Sequence, residues 1–105
     1  MPRLRVALAV SLLTLSTLSS IARADADKVF KTNCVLCHSA DGSGDSPTGK
    51  ALKAKDLRSD EVQKKSDDEL STIIAKGNGK MPAFGSKLSP DVVKSLVAYV
   101  RSLKK

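Results

Sequence analysis

The chain has few of the residues that usually build a small core or carry chemistry. Its 105 residues include no tryptophan, two phenylalanines and one tyrosine. These three rings, Phe30, Phe84 and Tyr99, are too few and too scattered for base stacking, which argues against a nucleic-acid-binding protein. Two cysteines allow at most one disulfide, and together with the single histidine they are too few for a closed zinc site of four protein ligands.

Long hydrophobic runs are also scarce, since the longest has only 16 residues, Val6–Ile21. A helix that spans a bilayer needs about 20 apolar residues, so this run is short for a membrane anchor. Two arginines precede it, and the sequence Ala22-Arg23-Ala24 follows it. A basic start, an apolar centre and a small-residue site are the three parts of a secretory signal peptide. We therefore expect cleavage after Ala24.

Cleavage would divide the chain into a signal peptide, residues 1–24, and one small periplasmic domain, residues 25–105. Two alternatives stay open: cleavage after Ala26, and a retained N-terminal helix that tethers the domain to a membrane. The cut removes three of the 18 basic residues and leaves 15 against 11 acidic ones, so the net charge falls from +7 to +4. The remaining lysines form either a solvated surface or a basic face that steers an acidic protein partner.

A domain of this size has difficulty in stabilising itself. It buries only about 60–65% of the surface of its unfolded chain, and such domains are marginally stable without a staple. A disulfide between cysteines spaced C-x-x-C closes too small a loop to restrain the unfolded chain much. We therefore expect a bound group to complete the core.

The apolar pattern predicts helices separated by glycine-rich loops, with no confident strand. A short helix is expected over Asp25–Asn33 because its apolar residues share one face. Another helix should begin after the Ser66 cap and stop at Gly77. The last helix should follow the Ser89 cap, with a proline at its first position and a long apolar stripe.

The segments between these helices contain most of the glycines. Ser39–Lys50 has three glycines and a proline and is expected to be a loop, as is the glycine-rich stretch of residues 77–88. Between them, the segment after Ser59 is expected to form one or two turns of helix. The sequence shows no internal repeat and no second domain.

Both cysteines and the only histidine lie within five residues, Cys34-Val35-Leu36-Cys37-His38. C-x-x-C-H is the spacing of haem c attachment. Two thiols three positions apart reach the two vinyl groups of one porphyrin, and the adjacent histidine projects under the iron. A thioredoxin-like site would need a βαβ pattern, which this sequence lacks. An exported disulfide and a zinc module stay open as alternatives.

A haem iron bound by one histidine needs a sixth ligand, or a reason to leave that position open. Met81 is the only methionine of the expected mature chain, and it lies in a glycine-rich loop directly before Pro82. Proline stiffens the backbone at that point and would help to hold a weak thioether ligand. Histidine and methionine together saturate the iron and raise its potential, which favours electron transfer over substrate chemistry.

Three stretches of the chain, "VFKTNCVLCH", "GNGKMPAF" and "LSPDVVKSLVAYVRSLKK", resemble the class I cytochromes c and are most similar to the cytochrome c₆ type. The resemblance implies a small all-α fold whose helices pack around one covalently attached haem c. It implies thioether bonds at Cys34 and Cys37, with His38 as the proximal iron ligand and Met81 as the distal one.

The resemblance also implies a crossing of the first and last helices, where Phe30 meets Leu96 and Tyr99. Pro47 is the candidate for the backbone carbonyl that accepts the second ring N–H of the histidine. Two apolar residues are expected to line the haem pocket. Several lysines flank the loops expected around the haem edge, although random surface placement explains their positions better than one patch does. The pocket residues are Leu52 and Phe84; the lysines are Lys50, Lys53, Lys55, Lys80 and Lys87.

The sequence therefore predicts a soluble one-electron carrier rather than an enzyme. Its partners would be larger redox proteins of a periplasmic chain, which dock briefly at the haem edge through a lysine-rich face. No stable membrane insertion is expected once the signal is cleaved. The alternatives are a haem protein with an open sixth site for gas binding or peroxide chemistry, and a non-haem disulfide or zinc module.

Overall fold

The computed structural model describes the backbone of residues 16–105 and the side chains from residue 25 onward. The basic start and most of the apolar run of the expected signal peptide lie outside the described residues. Six helices follow one another in the described part of the chain: α1 (Ser16–Asn33), α2 (Val35–His38), α3 (Pro47–Leu52), α4 (Asp60–Gln63), α5 (Asp67–Lys76) and α6 (Pro90–Ser102). Between residues 16 and 105 there is no strand, only an isolated antiparallel bridge between Asn78 and Met81. The predicted all-α class is confirmed.

Serine residues begin four of the helices by the same mechanism. In each case the side-chain oxygen accepts a hydrogen bond from a backbone N–H of the first turn, which would otherwise have no partner. The caps are Ser46, Ser59, Ser66 and Ser89, which precede α3, α4, α5 and α6. The predicted starts after Ser59, Ser66 and Ser89 are therefore confirmed, as is the end of α5 at Gly77, which has a φ of 77°.

The expectation that all of Ser39–Lys50 is a loop is wrong, because its last residues belong to α3. Ser46 accepts from Gly49 N at 3.0 Å, and Pro47 provides a helical φ at the first position. Lys53 ends the helix in the left-handed conformation, with a φ of 56°. The glycine-rich composition thus suggested a loop, although the Ser46 cap and Pro47 are sufficient for one short helix.

Helix α1 begins earlier than predicted but ends at Asn33 as expected. The predicted helix from Asp25 is its C-terminal half, and the expected cleavage point after Ala24 lies inside the continuous helix. No helix among residues 16–105 is both long enough and apolar enough to span a membrane.

The core lies on both sides of α6. On one side α6 crosses α1, where Phe30 and Leu96 are the most deeply buried large side chains, at 1% and 2% exposure. The ring of Tyr99 lies 4.7 Å from that of Phe30, so the predicted crossing contact is confirmed. On the other side a second cluster joins α6 to α4 and α5. Its buried members are Val62, Leu70, Val97 and Val100.

Candidate haem site

A cavity of about 610 Å³ lies beside this core. Its volume falls within the range of about 300–1,000 Å³ that is typical of cofactor and small-molecule sites. The side chains around it come from the end of α1, from α2, from residues 52–65, from α5, from the loop before α6 and from α6 itself. All four residues predicted as site residues line this one cavity: Cys34, Cys37, His38 and Met81. The two expected pocket residues, Leu52 and Phe84, line it as well.

The C-x-x-C-H segment folds as a helical turn directly after α1. Cys34 N donates to Phe30 O at 2.9 Å, and Cys34 O accepts from both Cys37 N and His38 N, at 3.2 and 2.9 Å. Residues three and four apart share a face in a helical turn, which explains why both thiols and the imidazole reach the same cavity. Burial raises the pKa of the Cys34 thiol to about 11, and the neighbouring Cys37 adds to this shift.

Helix α3 holds this turn from outside. Ser46 Oγ, which caps α3, also donates to Leu36 O at 2.6 Å, and Ser46 N donates to Ser39 Oγ at 2.8 Å. Gly49 packs so closely that an added Cβ would overlap the Cys37 carbonyl oxygen. Ser39 directly follows His38 and has φ 67° and ψ 162°, a conformation that is essentially restricted to glycine. The hydrogen bonds of Ser46 therefore hold the end of the C-x-x-C-H segment, where Ser39 keeps a strained backbone conformation.

The orientation of His38 is set by a backbone carbonyl. His38 Nδ1 lies 3.0 Å from Lys55 O. Because a carbonyl oxygen only accepts, Nδ1 carries the hydrogen, and Nε2 has the free lone pair that a metal needs. The expectation that Pro47 supplies this carbonyl is wrong: Pro47 is the first residue of α3, where carbonyls point along the helix axis. No residue-type pattern could have identified Lys55, since any residue can offer a backbone oxygen.

Met81 closes a tight turn at another part of the cavity wall. Asn78 and Met81 exchange two backbone hydrogen bonds of 3.1 and 3.0 Å across Gly79 and Lys80. The backbone of Gly77 passes so close that a Cβ there would lie 2.6 Å from Met81 O. The chain is then tied to α5, because Phe84 N donates to Ile74 O at 3.0 Å. Backbone hydrogen bonds on both sides thus fix the methionine.

Lysines and two exposed leucines surround the cavity. Of the five lysines proposed from the sequence, three line it and two do not; Lys65, which the sequence analysis did not single out, lines it too. The three are Lys53, Lys55 and Lys80, and the two are Lys50 and Lys87. Lys55 is paired with Glu61 at 3.1 Å. Leu36 is 72% exposed and, with Leu52, is one of the two large hydrophobic side chains most exposed to solvent among the described residues.

The donor set and the cavity fit a haem c. The wall offers two thiols at attachment spacing, an imidazole with a free Nε2, a thioether and a largely aliphatic surround. Within the described residues, no three His, Cys, Asp or Glu side chains converge so as to hold a metal ion by themselves. Fold and site together define a small c-type cytochrome.

The comparisons with known proteins agree with this class. The family model described as cytochrome c oxidase, cbb3-type, subunit III matches residues 22–100. Cytochrome c6 of Leptolyngbya boryana is 36% identical over 76 residues, which cover 70% of this chain and 82% of that protein. Among solved structures, the KustC0563 c-type cytochrome superposes with a TM-score of 0.71 at 35% identity and covers 76% of this chain and 98% of its own.

A second kind of relative is longer. The cbb3-type cytochrome c oxidase subunit FixP of Bradyrhizobium diazoefficiens is 35% identical over 96 residues, which cover 89% of this chain but only 31% of that protein. The chain therefore spans about a third of FixP. It belongs to the cytochrome c family described by the matching model, and within it to the class I monohaem, c6-like proteins. Haem c is the cofactor of this family, and electron transfer is its function.

Proposed function

We propose that the protein is a one-electron carrier with one covalently attached haem c. In this proposal Cys34 and Cys37 form the two thioether bonds, His38 Nε2 is the proximal iron ligand and Met81 Sδ is the distal one. The single observation that carries it is that these four side chains line the same cavity while the other nitrogen of His38 is already bound to Lys55 O.

The chemistry supplied by the bound group is the exchange of one electron at its iron. The residues of the chain provide its surroundings. With His38 and Met81 both bound to its iron, the haem would have no position open to a substrate, and the thioether would raise its reduction potential. Apolar side chains such as Leu70, Ile73 and Leu96 exclude water from the cavity. Neither arginine of the described mature domain, Arg58 or Arg101, lines the cavity, so no guanidinium is placed to activate peroxide.

The partners that we propose are larger redox proteins that dock at the cavity rim. Lys53, Lys65 and Lys80 add positive charge there, and the exposed Leu36 adds apolar contact area. Weak and fast encounters of partly electrostatic origin are typical of such pairs. Transfer rates to an acidic partner should then fall as the salt concentration rises.

We further propose that residues 1–24 direct the chain to the periplasm, where haem is attached and the mature domain 25–105 works. Sequencing the N-terminus of the exported protein tests this directly. A terminus at Asp25 supports the proposal, a terminus at Asp27 moves the cleavage site by two residues, and an uncleaved chain would make the protein a tethered carrier.

The decisive experiment is an optical spectrum, oxidised and reduced, of protein exported from a host that attaches haem c. Haem that resists acid–acetone extraction, with a low-spin spectrum and a weak far-red band from methionine ligation, is expected. A covalent but high-spin haem would instead favour the open-site protein that binds gas or reduces peroxide. Protein without haem would favour the disulfide or zinc module.

A second candidate function follows from the match to the oxidase-subunit family. Since the chain spans 31% of FixP, it corresponds in size to one domain of such a subunit. The protein could then serve as a fixed electron-input module of an oxidase rather than as a diffusing carrier. Size-exclusion chromatography of detergent-solubilised membranes and of the periplasmic fraction from the native host distinguishes the two functions. A diffusing carrier elutes alone from the periplasmic fraction, whereas an electron-input module elutes with the oxidase.

A further inference from the structure

Gln63 occupies an unusual position at the end of α4. Its side-chain amide donates two hydrogen bonds, to Leu57 O at 2.8 Å and to Val100 O at 3.0 Å. The two acceptors belong to different parts of the fold, since Leu57 precedes α4 and Val100 lies in α6. One amide group therefore joins the C-terminal helix to the segment that contains Lys55, whose carbonyl accepts from His38 Nδ1.

The Lys55 segment, residues 54–57, is held mainly by hydrogen bonds of its own backbone. Before Lys55, Ala54 N donates to Gly49 O at 2.8 Å, and after it Leu57 N donates to Gly42 O at 2.8 Å. The carbonyl of Leu57 receives no protein donor other than Gln63 among the described residues. Val100 O, in contrast, also accepts from Leu103 N at 3.1 Å. Loss of the amide would thus release the Leu57 side of this link more than the helix side.

The backbone of Gln63 is anchored to the same helix, which makes the link rigid. Arg101 Nη1 donates to Gln63 O at 2.8 Å, and its Nε and Nη2 contact Asp67 Oδ1 at 3.1 and 2.9 Å. Main chain and side chain of Gln63 are therefore both bound to α6. A displacement of the Lys55 segment relative to α6 would have to stretch at least one of these bonds.

From this geometry we propose that Gln63 is a positioning residue for His38: it fixes the Lys55 carbonyl and thereby sets the strength of the hydrogen bond to Nδ1. The inference rests on the proposed function, in which His38 is an iron ligand. A strong hydrogen bond at Nδ1 makes the ring a more basic ligand and favours the oxidised iron. A weaker one should therefore raise the reduction potential.

The test compares wild type with Gln63→Leu in the haem-loaded protein. We expect the equilibrium constant for reduction to rise roughly three- to tenfold, less than the 10–100-fold effects of removing a ligand's direct partner. For one electron this equals about 30 to 59 mV. The His38 Nδ1–H resonance of the reduced protein should also shift upfield and exchange faster with solvent.

Ser89→Ala is the matched control. It is also charge-neutral and removes one capping hydrogen bond, from Val92 N to Ser89 Oγ at 3.3 Å, at the far end of α6. Its potential and its Nδ1–H resonance should equal those of wild type. If Gln63→Leu does not fold, Gln63→Asn keeps an amide that is one methylene shorter, and it should give a smaller shift of the same sign.

The outcomes separate the two proposals. A wild-type protein without covalent low-spin haem would overturn the proposed function itself. A wild-type protein with the expected spectrum, combined with Gln63 variants whose potential and Nδ1–H resonance match those of Ser89→Ala, would overturn only the positioning role of Gln63.

Discussion

The two parts of the cavity wall that hold the proposed ligands are built in different ways. The attachment side is one continuous turn, Cys34–His38, which α3 covers so closely that Gly49 leaves no space for a side chain over Cys37 O. The methionine side is a tight turn held by paired backbone hydrogen bonds between Asn78 and Met81. Tertiary packing fixes the first side, whereas local backbone geometry fixes the second.

This difference predicts different responses to mutation. A change on the attachment side has to move α3 as well, so it should lower the stability of the whole domain. The Met81 side chain is half-buried and takes no part in the hydrogen bonds of its own turn, so its loss should leave the fold intact. Substitutions on the attachment side and then on the methionine side test this contrast.

The largest effect is expected for Cys34→Ser combined with Cys37→Ser, because this pair of changes removes both proposed attachment points. Without the haem, the largely apolar wall of a cavity of about 610 Å³ would be exposed to water, and the domain would lack the group that we expect to complete its core. We expect loss of covalent haem and of a cooperative thermal transition in circular dichroism. A double variant that unfolds as cooperatively as wild type would show that the core does not depend on the haem.

Gly49→Ala should have the next largest effect, again on the attachment side. Its Cβ would overlap Cys37 O and lie 2.5 Å from Gly44 O, and both are backbone atoms that cannot rotate away. Overpacking of this kind costs about 3 kcal/mol, which urea denaturation of the haem-loaded protein would detect. Gly79→Ala is the control, because its Cβ would meet nothing within 4 Å and only its φ of 57° opposes the change. Equal losses in both variants would contradict the close contact of α3 with the attachment turn.

Met81→Ala should leave stability nearly unchanged and alter the iron instead. The proposed distal ligand would be lost while the turn keeps its two backbone bonds to Asn78. We expect a high-spin or water-ligated spectrum and a potential lower by on the order of 0.1 V, since axial ligands set the potential over a range of about 0.8 V. An unchanged spectrum and potential would exclude Met81 as the ligand, and a large loss of stability would contradict the contrast between the two sides.

The sequence predicted the local features of this site much better than its tertiary ones. Ser66 and Ser89 were identifiable as caps because each precedes an acidic first turn and an apolar stripe. Cys34, Cys37 and His38 were identifiable because their spacing has a chemical reason. The structure brings them into one cavity with Met81, but their bonds to haem and iron stay predictions.

The contacts between distant segments could not be predicted from residue types. The partner of His38 is a main-chain oxygen 17 residues away, and Pro47 was the wrong candidate because the sequence did not reveal α3. Ser46 caps α3, which is a local role of the kind that a sequence can indicate. It also donates to Leu36 O, a tertiary contact that the sequence does not indicate. Backbone acceptors leave no signature in composition or periodicity.

The smallest effect concerns Ser39, which lies at the end of the attachment turn. Its conformation costs about 1–3 kcal/mol for a residue other than glycine, while its Oγ accepts from Ser46 N at 2.8 Å, a bond that contributes about 1 kcal/mol. Ser39→Ala loses the bond and keeps the strain, whereas Ser39→Gly loses the bond but relieves the strain. Chemical denaturation should therefore show the Ala variant less stable than wild type by about 1 kcal/mol and the Gly variant at least as stable as wild type. If instead the Gly variant is the less stable of the two, the strain at Ser39 is negligible, and the attachment turn is held by its contacts with α3 alone.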